Sequence, residues 1–251
     1  MACAVVQISD GSTTGTGVFI SSDGDLLTAA HVILDRSFSV DGTGNLVTTV
    51  TFKRGLRYRR YSGEEQTLVL GEANSKDAER ATADLALIKT GTTTSCFIPL
   101  GDSEALDIGS RVIAIGYPNL TPSGALYEGF VSSRYKHLPI PIGFVGSRPV
   151  YPQYEVIRLQ MPITPGASGS PVIDDGNKIV GIVSEVPVVW TMDLSDLIRT
   201  MATRGGSGVL MSGFDTTLLL AKLAWIVHEF ESPGAGLAVP VFYLKPPAPS
   251  N

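Results

Sequence analysis

Ser168 sits in the stretch TPGASGSPVID, Thr164 to Asp174, between Gly166 and Gly169 and just after Pro165. Glycines on both sides let the main chain take unusual φ values and let another molecule approach its N–H groups, while proline stiffens the approach. This suits a nucleophilic hydroxyl whose tetrahedral oxyanion is held by main-chain N–H groups, where a bulky neighbour would block the incoming carbonyl. It equally suits a tight structural turn, and the stretch alone does not separate the two. A serine hydroxyl is a weak nucleophile near neutral pH, so the chemical reading requires a base within reach and an acceptor to orient that base. Of the three histidines, His137 lies in the charged SRYKHLP and His228 stands beside Glu229, both suited to surface or satisfied core positions. His31 differs, because it ends the apolar run LLTAAHVIL among small residues, where a side chain can project into a cleft. Asp84, in ATADLALIKT, precedes an alternating apolar run with no adjacent base to neutralise it. A turn residue at a strand start is its other reading.

The elements that would position these residues are mostly strands. Short runs rich in Val, Ile and Thr, among them AVVQI, GVFIS, LVTTVTF, TLVLGEA, LALIKT, RVIAIGYP, YEVIRLQM and KIVGIVSEV, recur between Gly, Pro, Asn, Asp and Ser. Strands of this length with frequent turn signals predict an all-β sandwich or barrel. Two later segments break the pattern and predict helices, Asp193 to Thr203 and Asp215 to Glu231, each opened by an aspartate N-cap and the second stopped by Pro233 and Gly234. The ending KPPAPSN reads as an extended tail.

With 251 residues, 43% of them hydrophobic, the chain can bury a full core. A formal net charge of -5 offers no basic field for a phosphate backbone, so no nucleic acid partner is expected. The basic run KRGLRYRRY, Lys53 to Tyr61, alternates with apolar residues and is followed by Glu64 and Glu65, which predicts a solvated hairpin. Cys3 and Cys96 form no CxxC or Cys/His spacing, so neither a metal nor a cofactor is expected. Both read as small buried or half-buried thiols, with a disulfide between them left open. The start MACAVVQISDG has no basic region followed by a long apolar one, so a cytoplasmic protein is expected. The most apolar stretch, Leu218 to Val227, is too short to span a bilayer and contains Lys222, so no membrane span is expected.

Taken in order, GTGVFISSDGDLLTAAHVI, ADLALIKT, PLGDSEALDIGSRVIAIGYP, ITPGASGSPVID, KIVGIVSEV and GAGLAVPV resemble the chymotrypsin-like serine proteases, and within them the HtrA/DegP branch. The resemblance covers most of the chain up to the late insertion. It implies two antiparallel six-stranded β-barrels with a cleft between them: residues 1–100 carrying His31 and Asp84, and residues 101–245 carrying Ser168, with a helical insertion at about 187–233 and a tail at 246–251. It further implies Ser168 as nucleophile, His31 as general base and then acid, and Asp84 as the carboxylate that fixes the histidine tautomer. The N–H groups of Gly166 and Ser168 would form the oxyanion hole, and Ser184 matches the family serine that hydrogen-bonds the aspartate. Ala167 before the nucleophile and Ser170 after Gly169 depart from the common motif, but both are small enough for the loop to form. No PDZ-like segment follows, and the chain begins directly in a strand, so trimers of the HtrA style are not expected.

By the same resemblance the substrate pocket is bordered by Pro162, Val186, Gly236, Leu237 and Ala238, without an acidic residue to attract a basic side chain. The expected activity is endopeptidase cleavage of a protein or peptide substrate after small aliphatic residues. A protease-like binding module without turnover, and an esterase or acyltransferase using the same serine, are the alternatives. The insertion is the expected contact if the chain is an oligomer and not a monomer.

Overall fold

The structure, a computed structural model, describes residues 1–43, 45–71, 80–81, 83–118, 123–135, 143–145, 148–150, 154–185, 210–211, 214–215 and 235–244. The first half contributes β1 (Val5–Ser9), β2 (Thr14–Phe19), β3 (Asp25–Ala29), the single helical turn α1 (Ala30–Ile33), β4 (Leu34–Val40), β5 (Leu46–Phe52), β6 (Arg57–Arg60), β7 (Glu65–Thr67) and β8 (Leu85–Lys89). The second half contributes β9 (Arg111–Gly116), β10 (Ala125–Tyr135), β11 (Gly143–Val145), β12 (Arg148–Val150), β13 (Val156–Gln160), β14 (Pro171–Ile173) and β15 (Ile179–Glu185). The short pair β16 (Leu210–Met211) and β17 (Phe214–Asp215) and the strand β18 (Gly236–Pro240) complete it.

The protein is mostly β, as its alternating Val, Ile and Thr runs require. The second half closes into a six-stranded barrel in the order β10, β13, β18, β15, β14, β9. The first half differs from the expected closed barrel. Among the described residues it is a curled six-stranded sheet in the order β7, β6, β1, β2, β3, β8, while β4 and β5 pair only with each other as a separate hairpin. Of the expected run TLVLGEA, Thr67 ends β7 and Leu68 to Gly71 are not strand.

The barrel strands read as continuous apolar runs because both of their faces are covered. In β14, Val172 points into the barrel cluster and Ile173 into the cluster shared with the first sheet; in β18, Ala238 takes the first direction and Leu237 and Val239 the second. Val5, Val6, Ile8, Phe19, Leu26, Leu27 and Leu85 fill the shared cluster from the other side. The connection between the halves is stitched to both: Ile98 N donates to Phe19 O at 2.9 Å, and Gly101 N donates to Ile179 O at 2.7 Å.

The basic run enters a hairpin with β7, with Arg57 and Tyr61 exposed as expected, but one face of it is packed. β6 lies between β1 and β7, Leu56 and Tyr58 are buried, and the Arg60 guanidinium lies 4.7 Å from the centre of the Phe19 ring. The expected helix Asp193 to Thr203 lies outside the described residues. Asp215 ends β17, and the rest of the second expected helix also lies outside them.

The reading of the cysteines as thiols is corrected, since Cys3 and Cys96 form a disulfide across 93 residues. β1 and β8 are three strands apart in the sheet, and it is the curl that brings the entry to β1 against the exit from β8. A sequence spacing does not reveal such a closure. The crosslink removes freedom from the unfolded chain, so replacing both cysteines by serine is expected to lower stability by about 2–4 kcal/mol. Urea unfolding with and without reductant checks this: reductant should destabilise the native chain by a like amount and leave the double variant unchanged.

Candidate active site

α1 follows β3 directly. Val32 and Ile33 anchor the turn in the core, leaving the His31 side chain 35% exposed at its edge. Asp84 arrives from the turn before β8, where Ala83 N donates to Arg80 O and Asp84 N to Ala81 O, each at 3.0 Å. Its φ is +56°, a conformation uncommon outside glycine but better tolerated by aspartate, whose short polar side chain bonds locally. The turn ties Asp84 to α1 three times: Ala30 N donates to Asp84 O at 3.0 Å, His31 N to Asp84 Oδ1 at 3.0 Å, and His31 Nδ1 lies 2.8 Å from Asp84 Oδ2. Asp84 is 1% exposed, so its carboxyl group depends on these partners. Across the interface the Ser184 hydroxyl donates to Asp84 Oδ2.

Ser184 is the extra residue of a β-bulge. Val183 pairs with Ala238 and Glu185 with Leu237, leaving Ser184 between them. A bulge re-aims the residue it contains. The Ser184 hydroxyl turns to Asp84 while its carbonyl accepts from the Ser168 hydroxyl at 3.1 Å. Four of the residues singled out in the sequence, His31, Asp84, Ser168 and Ser184, thus stand in one connected group drawn from both halves.

The loop carrying Ser168 is held closely. Ala167 N donates to Thr164 O at 3.1 Å, Ser170 N to Ala167 O at 2.9 Å and Gly169 N to Val183 O at 2.7 Å. Gly166 and Gly169 adopt φ of +89° and +88°. At Gly169 a Cβ would lie 1.9 Å from the Thr16 carbonyl oxygen and 2.4 Å from Thr28 Oγ1, so glycine is required for space as well as for φ. The amides of Gly166 and Ser168 donate to no acceptor among the described residues. Ser170, the departure from the common motif, is fully buried, and its hydroxyl has no partner among the described residues. It fits because residue 116 is glycine, where a Cβ would meet Ser170 Oγ at 1.9 Å. Beside the loop, burial raises the Tyr127 phenol above its ordinary pKa, and its hydroxyl lies 3.0 Å from Thr164 Oγ1.

The expected pocket residues are placed unequally. Pro162 is exposed at the start of the loop, Leu237 and Ala238 are buried in the two core clusters, and a Cβ on Gly236 would meet Ile163 Cδ1 at 2.3 Å. Val186 lies outside the described residues. Sequence reasoning missed Thr16 and Thr28, whose hydroxyls contact the back of the loop region. The only signal for Thr16 was the run of small residues TTGTG, and Thr28 stands among the apolar residues of DLLTA with no signal of its own.

The trypsin-like peptidase domain family matches residues 15–182, two thirds of the chain. The chain belongs to this family. It is 26% identical over 213 residues to a probable periplasmic serine endoprotease DegP-like from Halomonas elongata, covering 78% of this chain and 38% of that protein. It is 27% identical over 176 residues to a serine protease HtrA-like from Staphylococcus epidermidis, covering 68% of this chain and 26% of that one. The chain therefore spans well under half of these relatives' length. Among solved structures, the HtrA-type protease AlgW with a tripeptide superposes with a TM-score of 0.53 at 20% identity, over 96% of this chain and 57% of that one. An inactive form of Rv3671c from M. tuberculosis H37Rv gives 0.56 at 15% identity, over 97% and 83%. These two share the fold. The cytoplasmic expectation is overturned by the relatives, several of which are named periplasmic. The absence of a leader-like start is no guide to compartment in a sequence that spans only part of its relatives.

The close approach at Gly169 gives a stability test. Gly169→Ala adds left-handed strain to a clash with main chain, and is expected to destabilise the protein by about 2 kcal/mol or more in urea unfolding.

Proposed function

We propose that the chain is a serine endopeptidase that cleaves peptide bonds through an acyl-enzyme on Ser168. The observation that carries this reading is the buried Asp84 carboxyl group gripping both the main chain and Nδ1 of His31, joined through Ser184 to the Ser168 hydroxyl. Turned from the Ser184 carbonyl toward His31 Nε2, that hydroxyl gives its proton to the imidazole as Oγ attacks the substrate carbonyl. Asp84 fixes the tautomer and stabilises the imidazolium that results. The oxyanion lies against the unengaged amides of Gly166 and Ser168. His31 then protonates the leaving amine, and water hydrolyses the ester by the reverse sequence, returning its proton through His31.

The site chosen for cleavage follows from the same wall. Ile163 occupies the space beside Gly236, and no acidic residue stands at Pro162 to pair with a basic side chain. A narrow apolar pocket that takes Ala or Val is the reading this supports, with Pro162, Val186, Gly236, Leu237 and Ala238 at or behind its border. One methylene there is worth about 1–3 kcal/mol in discrimination. The periplasmic relatives and the Cys3–Cys96 disulfide support action outside the cytoplasm, where such bridges persist.

Ser168→Ala is expected to abolish cleavage of unfolded casein while leaving the unfolding transition unchanged, and Asp84→Asn to lower kcat by about 10⁴-fold, as a misoriented imidazole does. Wild-type turnover in either variant overturns the triad. A fluorophosphonate that labels Ser168 without any peptide cleavage assigns the site to ester chemistry instead, and no labelling at all leaves a binding module. In a peptide library, cleavage is expected after Ala and Val, and efficient cleavage after Arg or Lys refutes the pocket.

A further inference from the structure

On the side of Gly166, no main-chain bond from the barrel reaches the Ser168 loop among the described residues. Glycine takes positive and negative φ about equally, so the direction of the Gly166 peptide is not fixed by its own conformational preference. The hydrogen bond to its carbonyl among the described residues comes from the first sheet. Thr16, on β2, donates from its hydroxyl to the Gly166 carbonyl at 3.3 Å, while the same hydroxyl accepts from Tyr117 N at 2.9 Å. Thr16 N donates to the Ser168 carbonyl at 2.7 Å, and the Thr16 carbonyl accepts from the Thr28 hydroxyl at 2.6 Å. Thr16 is fully buried, so every one of its polar groups must find a protein partner.

We propose that the Thr16 hydroxyl is a positioning residue for the oxyanion loop, acting from the opposite half of the molecule. This rests on the reading of Ser168 as nucleophile. The carbonyls of Gly166 and Ser168 are both drawn toward Thr16, one by its side chain and one by its main chain. The Gly166 carbonyl belongs to the peptide that follows its Cα, so anchoring it limits the rotations by which the loop could turn the Gly166 N–H away, and at φ +89° that N–H meets no acceptor among the described residues. A donor kept in place before substrate arrives needs no reorganisation during reaction. Thr16 in turn is located by the main chain just after β9 through Tyr117 N and by β3 through Thr28, so the loop's shape depends on the two halves being docked. Removing the hydroxyl leaves both main-chain bonds of Thr16 in place and takes away only the bond to the Gly166 carbonyl and the one from Tyr117 N.

Thr16→Val keeps shape and the bond from Thr16 N to Ser168, and loses the hydroxyl. One hydrogen bond of ordinary net strength corresponds to about a 5–10-fold change in the population of the held peptide. The rate of Ser168 labelling by a fluorophosphonate, whose transition state also builds charge on oxygen, is therefore expected to fall about 5–10-fold in Thr16→Val. The pH midpoint of labelling, set by His31, should stay in place, and kcat on casein should fall with KM little changed. Thr16→Ser should restore the rate to within about twofold. Labelling of Thr16→Val at the wild-type rate overturns the inference, as does Thr16→Ser labelling as slowly as Thr16→Val, which would assign the effect to bulk. If Thr16→Val does not fold, Thr16→Ala carries the same comparison with Thr16→Ser. A native chain that takes up no probe overturns the nucleophile reading itself, whereas a native chain that labels normally alongside an unaffected Thr16→Val overturns only the role of Thr16.

Discussion

The structure around the cleft depends on satisfying one buried carboxyl group. Asp84 is almost wholly out of water, and a polar group in that position costs free energy unless its lone pairs are met. Its described partners come from both halves of the molecule. His31 supplies a main-chain N–H and a ring nitrogen from the first sheet, and Ser184 supplies a hydroxyl from the barrel. If the halves moved apart, Asp84 would lose one of these and gain only water at the edge of an apolar interface. The requirement thus aligns the two halves as firmly as the apolar contacts do, because hydrophobic packing tolerates small slides and a hydrogen bond does not. The positive φ of Asp84 belongs to the same requirement, since the turn from Arg80 to Asp84 must bring both its carbonyl and its carboxyl group against α1. Strain of this kind persists only where surrounding contacts over-determine it.

Around that centre, several small residues record close backbone approaches. Gly169 is forced by the Thr16 carbonyl and Gly116 by the Ser170 side chain. The second pair explains how the loop accepts a serine after Gly169: bulk added on the loop is matched by bulk absent from β9. Such matching involves residues 54 positions apart, and only the sheet pairing of β14 with β9 makes them neighbours.

Much of this was legible in the chain. Local signals found the strands, because alternating and continuous apolar runs report one-sided and two-sided burial, and the ordered motifs found the fold family. His31, Asp84 and Ser168 were singled out by residue type and setting and Ser184 by the family resemblance, and the structure brings the four into one hydrogen-bonded group. What stayed hidden was set by tertiary closure. Among the described residues, the open edge of the first sheet follows from where pairing stops, the Cys3–Cys96 bridge from the curl of that sheet, and the burial of Tyr58 from the place of β6 between β1 and β7. A basic run with alternating Leu and Tyr reads as a solvated hairpin until a neighbour on each side is known. Thr16 was hidden for a different reason, since a threonine in a strand is ordinary by propensity and becomes informative only when its hydroxyl is seen against a loop 150 residues away.

The bulge at Ser184 shows why local irregularity and chemistry coincide here. In a regular strand, side chain and carbonyl direction alternate with a period of two, so a residue whose hydroxyl faces one neighbour presents its carbonyl within the ladder. Ser184 instead uses both groups outside the ladder, the hydroxyl on Asp84 and the carbonyl on the Ser168 hydroxyl. That is possible only because it is unpaired between Val183 and Glu185. The residues on either side remain paired and hold the register, which Gly169 N and Ser170 O secure further through Val183. A one-residue slip of β15 would turn every side chain to the opposite face and part the carboxyl group from the serine loop in a single step. The geometry of the group is therefore not a property of its four side chains alone. It is inherited from strand register, and the bulge is the point at which register is converted into the separation between Asp84 and Ser168.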